Sequence, residues 1–527
     1  MPGRSVHGLV LLLLLATLAL QLPSFDEPFG SDLGERAYGA WLVLEGHPIY
    51  TDFHPGHHLP AAFYTFALAF RLFGFSYFAL KVWIGLTVVL EAALVYALGN
   101  RLWGARVGVV AAYLFALFSS DPFMEATTGE IELVANLPRI ASVLLLWLAI
   151  QRPQRRQRWW LLLVSGAATC MACWFKASYI LGLGPTVVLV ALATVRQEGP
   201  LRQKVVRLVD QYLAVACGML VVALPVVAYL AVVGALPGLV QVFSMGVSYI
   251  EGRGAASPGL AGVLIVPVAK VALELWFPLS LVLFAVLAWV RKRRLLDWAP
   301  LLACLWILFA FAEANVSLYP FRHYDLLMVP AVALAAASGL AQLGNVGRSR
   351  FSVDRLAAAL LIVAAPVSIY LRTYRGYSVR AYLSSFAAYR LGWISRTEYL
   401  LRAMGTDGLV PLQTEAAGAY VRDHTSPSDR VYMWSDQMNF YFVARRKCAI
   451  RYIWPVQVGV NLAYVPAMAV PGGWESLRAM IFATPAKYIA VFVPATVPEW
   501  LAHGLAAEYR LETTILGVQI YRWVGQP

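Results

Sequence analysis

Three groups of residues in this chain have the types and spacing to do chemistry. The first lies early, in FDEPFGSDLGERAYGAWLVLEGHPIYTDFHPGHHLPAAFY, where Asp32, Asp52, His57 and His58 stand among aromatic residues. The second is SSDPFMEATTGEIELVANLPR, which holds Asp121, Glu125, Glu130 and Glu132 with no lysine among them. The third is a set of bases beside apolar runs: Lys81, Arg139, Lys176 after CMACWF, and Arg322 and His323 in YPFRHYDLLMVP. A positioned carboxylate can take the proton of a hydroxyl that is otherwise a poor nucleophile. One base next to an apolar run can be a snorkelling anchor. Several of them opposite a carboxylate-rich loop point instead to an anion site beside an acid/base site. A lipid-linked phosphate is the anion naturally present at that depth. For Asp32 taken alone the plain reading is a helix cap, accepting backbone N–H bonds at the positive end of a helix over Leu33–Leu44. Asp121 and Glu125 read as solvated loop charge. Glu130 lies nearer the next apolar run and needs water or a polar cavity.

The elements that position these residues are membrane spans. Hydrophobic residues make up 60% of the 527 and charged residues 13%, against roughly 45–50% and about 25% in soluble domains. Mean hydropathy is +0.65. This composition excludes a disordered chain, a coiled coil, a disulfide-knotted toxin and a free cytosolic enzyme, and it fits a polytopic membrane protein. A span needs about 20 mostly apolar residues. Spans are expected near 8–24, 77–99, 107–120, 134–150, 159–176, 177–195, 212–235, 262–290, 298–316, 322–342 and 355–372, about eleven in all. The first, after Arg4, lacks a good small-x-small site and reads as an uncleaved helix.

Loop charge alternates. One set carries Arg101/Arg106, Arg152/Arg155/Arg156/Arg158, Arg196/Arg202/Lys204/Arg207, Arg291/Lys292/Arg293/Arg294 and Arg348/Arg350/Arg355; the other carries the acids. The basic set marks the cytoplasmic side. The net charge of +13 is therefore topological, and nucleic-acid binding is excluded. The N-terminus falls in the cytoplasm, and the acidic loops and C-terminal segment lie outside, in a multi-pass protein of the plasma membrane.

The spans form a domain over 1–372, with a first outer loop at 25–76 and a second at 121–133. The first loop is too long for a plain connector. Its helix-like stretches, Leu33–Leu44 and Leu59–Phe73, read as juxtamembrane helices roofing a cavity at the membrane boundary. Residues 373–411 read as a connector. Over 412–527, β-rich runs at 430–434, 488–493 and 518–523 alternate with helix-like stretches near 412–424, 438–446, 474–482 and 498–507, which suggests an extracytoplasmic α/β domain. Cys170 and Cys173 sit inside an apolar run and read as buried and structural.

At these motifs the chain resembles the GT-C membrane glycosyltransferases, specifically the protein O-mannosyltransferase and lipid A aminoarabinose transferase superfamily, glycosyltransferase family 39-like. The resemblance rests on Asp32-Leu33-Gly34, Tyr38, Gly46, Tyr50-Thr51-Asp52-Phe53, His58-Leu59-Pro60 and Tyr64 in the first loop. It continues through Gly129-Glu130-Ile131, Phe175-Lys176, Arg322-His323-Tyr324 and Pro330. Leu33 stands where a second acid is common, and His58-Leu59 where the family has Lys-Pro.

The resemblance implies the GT-C fold and transfer of a sugar, with inversion, from a polyprenyl-phosphate carrier to an acceptor hydroxyl of a lipid, glycan or protein. Asp32 is the expected base, and Glu130 a second acid that positions the acceptor or a neighbouring base. Lys176, Arg322, His323 and His58 are the expected partners of the donor phosphate. Tyr38, Asp52, His57 and Tyr64 are expected to line the substrate cavity. No cofactor is expected, as in the mannosyltransferase-like branch, although oligosaccharyl relatives hold a divalent cation with loop carboxylates. Two other readings stay open. A lipid or solute transporter would show paired halves or helices broken at mid-membrane. A non-catalytic binder of lipid-linked glycan would share the cavity.

Overall fold

The computed structural model describes residues 2–56, 58–256, 259, 261–291, 297–319, 321–344, 363–374, 377–403, 409–453, 470 and 472–525. His57, the bases Lys292, Arg293, Arg294, Arg348, Arg350 and Arg355, and the first half of the span expected at 355–372 lie outside the described residues. In chain order the helices are α1 (Pro2–Phe25), α2 (Ser31–Leu44), α3 (Ala61–Phe73), α4 (Tyr77–Trp103), α5 (Ala105–Phe118), α6 (Ile131–Ile150) and α7 (Arg155–Cys173). They continue with α8 (Leu183–Val195), α9 (Leu201–Val232), α10 (Leu236–Ala256), α11 (Val266–Glu274), α12 (Trp276–Arg291), α13 (Trp298–Asn315) and α14 (Val329–Gly344).

The chain divides into two compact units. The first comprises residues 1–25, 81–228 and 256–380, and the second 26–80, 229–255 and 381–527. Boundaries drawn at 372 and 412 from composition follow hydropathy, whereas packing places the first outer loop with the C-terminal residues.

The first unit is the membrane part, and the protein is multi-pass. Among the described residues six helices are long and apolar enough to cross: His7–Phe25, Tyr77–Trp103, Ile131–Ile150, Ala177–Val195, Leu201–Val232 and Trp298–Asn315. α5 and α14 are shorter apolar helices. The span expected at 262–290 is broken, with α11 and α12 bent by 100° at Leu275. The span expected from 322 starts as a helix only at Val329, because Arg322–Leu327 forms a separate 3-10 turn. Only 17% of the apolar window of α9 is buried, so most of its Leu and Val side chains are left for lipid. Interior contacts use small and hydroxyl residues, as membrane helices do. Ser142 of α6 bonds Ser165 and Thr169 of α7 at 3.0 and 2.8 Å. A β-carbon at Gly218 of α9 would strike the Leu163 carbonyl of α7 at 1.8 Å, so those backbones meet directly. A two-stranded hairpin, β1 (Thr373–Tyr374) and β2 (Tyr377–Ser378), follows the last described span segment.

The second unit is built on a five-stranded sheet of β3 (Arg430–Trp434), β4 (Lys447–Cys448), β5 (Tyr488–Val491), β6 (Tyr509–Ile515) and β7 (Val518–Trp523), in the order β4-β3-β5-β7-β6. β3 runs parallel to β4 and β5, and β7 is antiparallel to β5 and β6. All four residues of β5 are buried, as a central strand covered on both faces requires. The flanking helices are Leu409–Asp423, Asn439–Ala444, Gly473–Ala483 and Glu499–Glu508. The connector holds helices of its own, Val379–Arg390 and Arg396–Ala403. Aromatic packing fixes the first outer loop to this unit. Phe29 meets Tyr77 edge-on at 4.4 Å, and Phe442 lies 4.5 Å from Phe75 and 5.2 Å from Phe29.

Candidate functional site

In the second unit the start of α2 is held against the end of β3. Gly30, in extended conformation, caps α2 without a side-chain bond, and Asp32 sits in the first turn. Asp32 is therefore not the cap residue, although its charge still meets the positive end of the helix. Every residue from Leu33 to Ala40 is buried, while the Asp32 side chain keeps 35% of its exposure. Arg36, one turn on and buried, reaches Asp32 at 3.1 Å. A β-carbon at Gly34 would stand 2.5 Å from the Asn439 nitrogen, so only glycine lets α2 settle onto the helix Asn439–Ala444. There the Ser31 hydroxyl donates to the Asp436 carbonyl. Burial holds the Asp436 acid above its ordinary range against the pull of the Gln437 amide, and the Asp32 charge adds to the rise.

On the buried face of α2, Glu35 grips the His58 Nδ1 at 2.8 Å. Burial drives the Glu35 acid well above the carboxylate range against the nearby Arg36. The Tyr50 hydroxyl donates to the His58 carbonyl at 2.8 Å. The unit thus brings together Asp32, Arg36, Glu35, His58 and Asp436. The expected cavity residues Tyr38, Asp52 and Tyr64 go elsewhere. The Tyr38 hydroxyl oxygen accepts the Cys448 N–H at 2.7 Å, which commits this ring to packing α2 on β4. Asp52 is exposed and bonds His47 at 2.7 Å, in a surface chain with Lys447 and Glu45. The Tyr64 hydroxyl donates to that of Tyr229 at 2.9 Å.

The first unit holds a separate polar cluster where α6 begins. Glu130 is the extended residue before α6, Glu132 lies in its first turn, and both are buried. The Lys81 ammonium donates to the Thr127 carbonyl at 2.6 Å, and the Thr128 hydroxyl lies 3.1 Å from Glu130 Oε1. Across from them the 3-10 turn Arg322–Leu327 is pinned by Asn136, whose amide donates to the Leu326 carbonyl at 3.0 Å. That turn aims His323 Nδ1 at Glu125 Oε2, 2.5 Å away. One ligand atom each from Glu130, Glu132 and His323 lies within 4.8 Å of the others. Burial alone would strip the His323 proton; the charges of Glu130, Glu125 and Glu132 outweigh it and lift the imidazolium to about 10. Lys176 lies 3.7 Å from Glu132 Oε1, with its ammonium 3.5 Å above the Tyr324 ring. The Tyr179 hydroxyl donates to the same Glu132 oxygen at 3.2 Å.

Glu130 and Lys176 thus stand beside Glu132, Glu130 in one group with His323. Arg322 turns toward Phe123. Its guanidinium lies 4.3 Å from the Phe123 ring centre and donates to the Phe123 carbonyl at 3.4 Å. Arg372 stands 5.4 Å from the centre of that ring and pairs with buried Asp121. Burial lifts Asp121 to about 6 against Arg372 and the Phe123 N–H. Asp121 is thus a buried ion-pair partner and not solvated loop charge. Sequence reasoning missed Glu35, Asp436 and Arg372. Asp436 follows β3, whose neighbours β4 and β5 lie on either side of it, a placement visible only once the sheet order is known.

Glu130, Glu132 and His323 offer two carboxylates and an imidazole, and Glu132 Oε2 is buried without a hydrogen-bond partner. That donor chemistry suits a divalent cation. The His323 Nδ1 faces Glu125 Oε2, and Lys176 lies 3.7 Å from Glu132 Oε1, so basic groups also face these acids.

A family model described as dolichyl-phosphate-mannose-protein mannosyltransferase matches residues 54–229. No curated protein matches the chain in sequence. The structure is similar to ArnT from Cupriavidus metallidurans bound to undecaprenyl phosphate, at 17% identity and a TM-score of 0.59, covering 98% of each chain. It is also similar to the oligosaccharyltransferase AglB from Archaeoglobus fulgidus in complex with an inhibitory peptide and a dolichol-phosphate. There the identity is 14% and the TM-score 0.53, over 92% of this chain and 69% of that one. The fold is the GT-C glycosyltransferase fold. At these identities the likeness is one of architecture, so function rests on the residues.

Proposed function

We propose that this protein is an inverting glycosyltransferase that moves a sugar from a polyprenyl-phosphate carrier to an acceptor hydroxyl on the outer face of the plasma membrane. Asp32 carries the reading: it is a carboxylate kept half-exposed on a helix turn whose following residues are all buried. Arg36, 3.1 Å away, and the helix dipole orient it. As the acceptor oxygen attacks the anomeric carbon, its proton passes to Asp32. The bond from that carbon to the phosphate oxygen breaks with its electron pair, and the lipid phosphate leaves. A positioned base is worth typically 10²–10⁴-fold. Cations fixed where the leaving charge grows lower the barrier further. In this reading Lys176 and His323 bind the donor phosphate, and Glu130 orients the acceptor or the His323 imidazolium. No resident metal takes part. The N-terminus is cytoplasmic, and Asp32 and the sheet domain are extracytoplasmic, in keeping with the basic and acidic loop sets.

Fold likeness to proteins holding undecaprenyl phosphate and dolichol-phosphate supports a lipid-phosphate donor. The family model supports the sugar-transfer class. The test is mass spectrometry of lipids that co-purify with the full chain. A polyprenyl-phosphate sugar is expected; reproducible absence of any polyprenyl phosphate overturns the donor assignment.

One observation favours a transporter. The α11–α12 span is bent by 100°, and next to the break Lys270 pairs with Asp325 at 3.0 Å. Broken helices with buried charges are a carrier's device. Proteoliposome flux of a polyprenyl-phosphate sugar without transfer chemistry would favour that reading.

A further inference from the structure

Resting on the reading of His323 as a cation at the donor phosphate, we propose that Lys270 of α11 is a positioning residue that acts on donor binding through the 3-10 turn Arg322–Leu327. The Lys270 ammonium spans that turn. It donates to the carbonyl of Phe321, the extended residue just before the turn, at 3.0 Å. It also pairs at 3.0 Å with Asp325, inside the turn. Both side chains are almost fully buried, at 10% and 0% exposure. One ammonium thus sets where the turn begins and which way Asp325 points.

That grip fixes the direction of His323. A 3-10 helix has three residues per turn, so successive side chains leave its axis about 120° apart. With Asp325 held to α11, the roll of the whole turn is set. His323, two residues earlier, is then aimed at Glu125 Oε2 and falls in one group with Glu130 and Glu132. Tyr324 comes to lie 3.5 Å beneath the Lys176 ammonium. Both cations read as phosphate partners therefore depend on this turn: one belongs to it, and the other rests on its aromatic ring.

The far end of the turn is held from α6. Asn136 and Arg139 donate to the Leu326 and Leu327 carbonyls at 3.0 and 3.1 Å. Glu132 lies in the first turn of that same helix, so these bonds set the height of the turn against the acids. α11 can hold the near end because a bend of 100° sets it apart from α12. Its last residue is anchored as well: Arg372 donates to the Glu274 carbonyl and pairs with Asp121. For stability alone, an apolar pair of similar volume often serves as well as a buried ion pair. What Lys270 and Asp325 add is direction.

The experiment measures binding of undecaprenyl phosphate to the full chain in nanodiscs, with undecaprenol as the probe that lacks the phosphate. The proteins are wild type, Lys270→Met/Asp325→Asn, Lys270→Arg, His323→Gln and the triple variant, compared per folded molecule. The paired substitution removes both charges together, so that neither is left buried alone. It is expected to weaken undecaprenyl phosphate about 3- to 10-fold, up to the loss of one charge-assisted contact, with undecaprenol affinity unchanged. Lys270→Arg keeps the charge but not the compact ammonium, and shows a smaller loss of the same kind. The triple variant binds as His323→Gln does, because the turn then has no imidazole to aim; such non-additivity marks a shared route. Wild-type phosphate affinity in the paired variant, or in Lys270→Arg should the pair not fold, overturns the proposal. So do an equal loss for undecaprenol and losses that multiply in the triple variant; each leaves Lys270 a fold contact. Wild-type affinity of His323→Gln overturns instead the reading of His323 as a phosphate partner, so the two failures are distinguishable.

Discussion

Gly34→Ala probes how the base is held without touching its charge. The added methyl would stand 2.5 Å from the Asn439 nitrogen, 2.8 Å from its Cα and 2.9 Å from its Cβ. Non-bonded carbon contacts settle at about 3.5–4.0 Å. Two backbones meet here, so no flexible side-chain end can swing away, and the start of α2 must retreat by roughly 1 Å. Overpacking of this kind costs about 1–3 kcal/mol, and a 1 Å misplacement of a catalytic group costs about 10²-fold in rate. The retreat strains the Ser31 bond to Asp436. Initial rates of sugar transfer in nanodiscs and the thermal midpoint of the same samples read both effects. The control is Gly246→Ala, where no atom lies within 4 Å of the added carbon; alanine is the better helix former, so rate and midpoint stay at wild type or above. A Gly34→Ala protein with wild-type rate and midpoint refutes the reasoning, because it would mean that α2 does not rest on Asn439.

Further outcomes follow from the same geometry. His54 is fully buried; desolvation and then Arg451 depress it to about 4. Its folded value lies below its unfolded one, so its contribution is present above about pH 6.5 and lost as pH falls toward 4, about 3 kcal/mol across that window. His54→Leu should flatten the acid slope of thermal stability, and an unchanged slope removes His54 as its source. Lys176→Ala should weaken binding of polyprenyl phosphate about tenfold, the loss of one charge-assisted contact; unchanged affinity returns Lys176 to a partner of Glu132 alone. EDTA is expected to leave transfer intact, and loss restored by Mn²⁺ would assign Glu130, Glu132 and His323 as ligands. Arg139→Ala should lower the thermal midpoint sharply and the folded yield with it, because Glu313 is then left buried without its partner.

What was legible in the sequence follows the range of the interactions. Spans announce themselves by local composition, so α1, α4, α6, α7 and α13 begin within several residues of their expected positions, whereas α9 begins at Leu201, well before the expected 212. The loop helices α2 and α3 were equally visible, because each carries its own start signal, an acid in the first turn or a proline before it. Strands β3, β5 and β7 stood out as apolar β-rich runs, while β4, only two residues long, did not. The partners of the site are another matter. Glu35 meets His58 across 23 residues, Arg372 meets Asp121 across 251, and Ser31 meets Asp436 across 405. No spacing rule links such pairs. The break between α11 and α12 went unread too: Lys270 and Glu274 interrupt the apolar run just before Leu275, and Pro267 and Pro278 flank it, but the stretch reads as one span. Tyr38 shows the reverse error: a motif position suggested a cavity wall, and packing of α2 on β4 claimed the ring.

The most direct test is a single-turnover comparison of wild type and Asp32→Asn, both folded in nanodiscs and loaded with equal amounts of the polyprenyl-phosphate sugar that co-purifies with the wild type. The account predicts release of polyprenyl phosphate with formation of a glycosylated acceptor by the wild type. For Asp32→Asn it predicts a rate lower by about 10²–10⁴-fold at undiminished donor occupancy. Equal rates from the two proteins, or no transfer from the wild type with the donor bound, would contradict it.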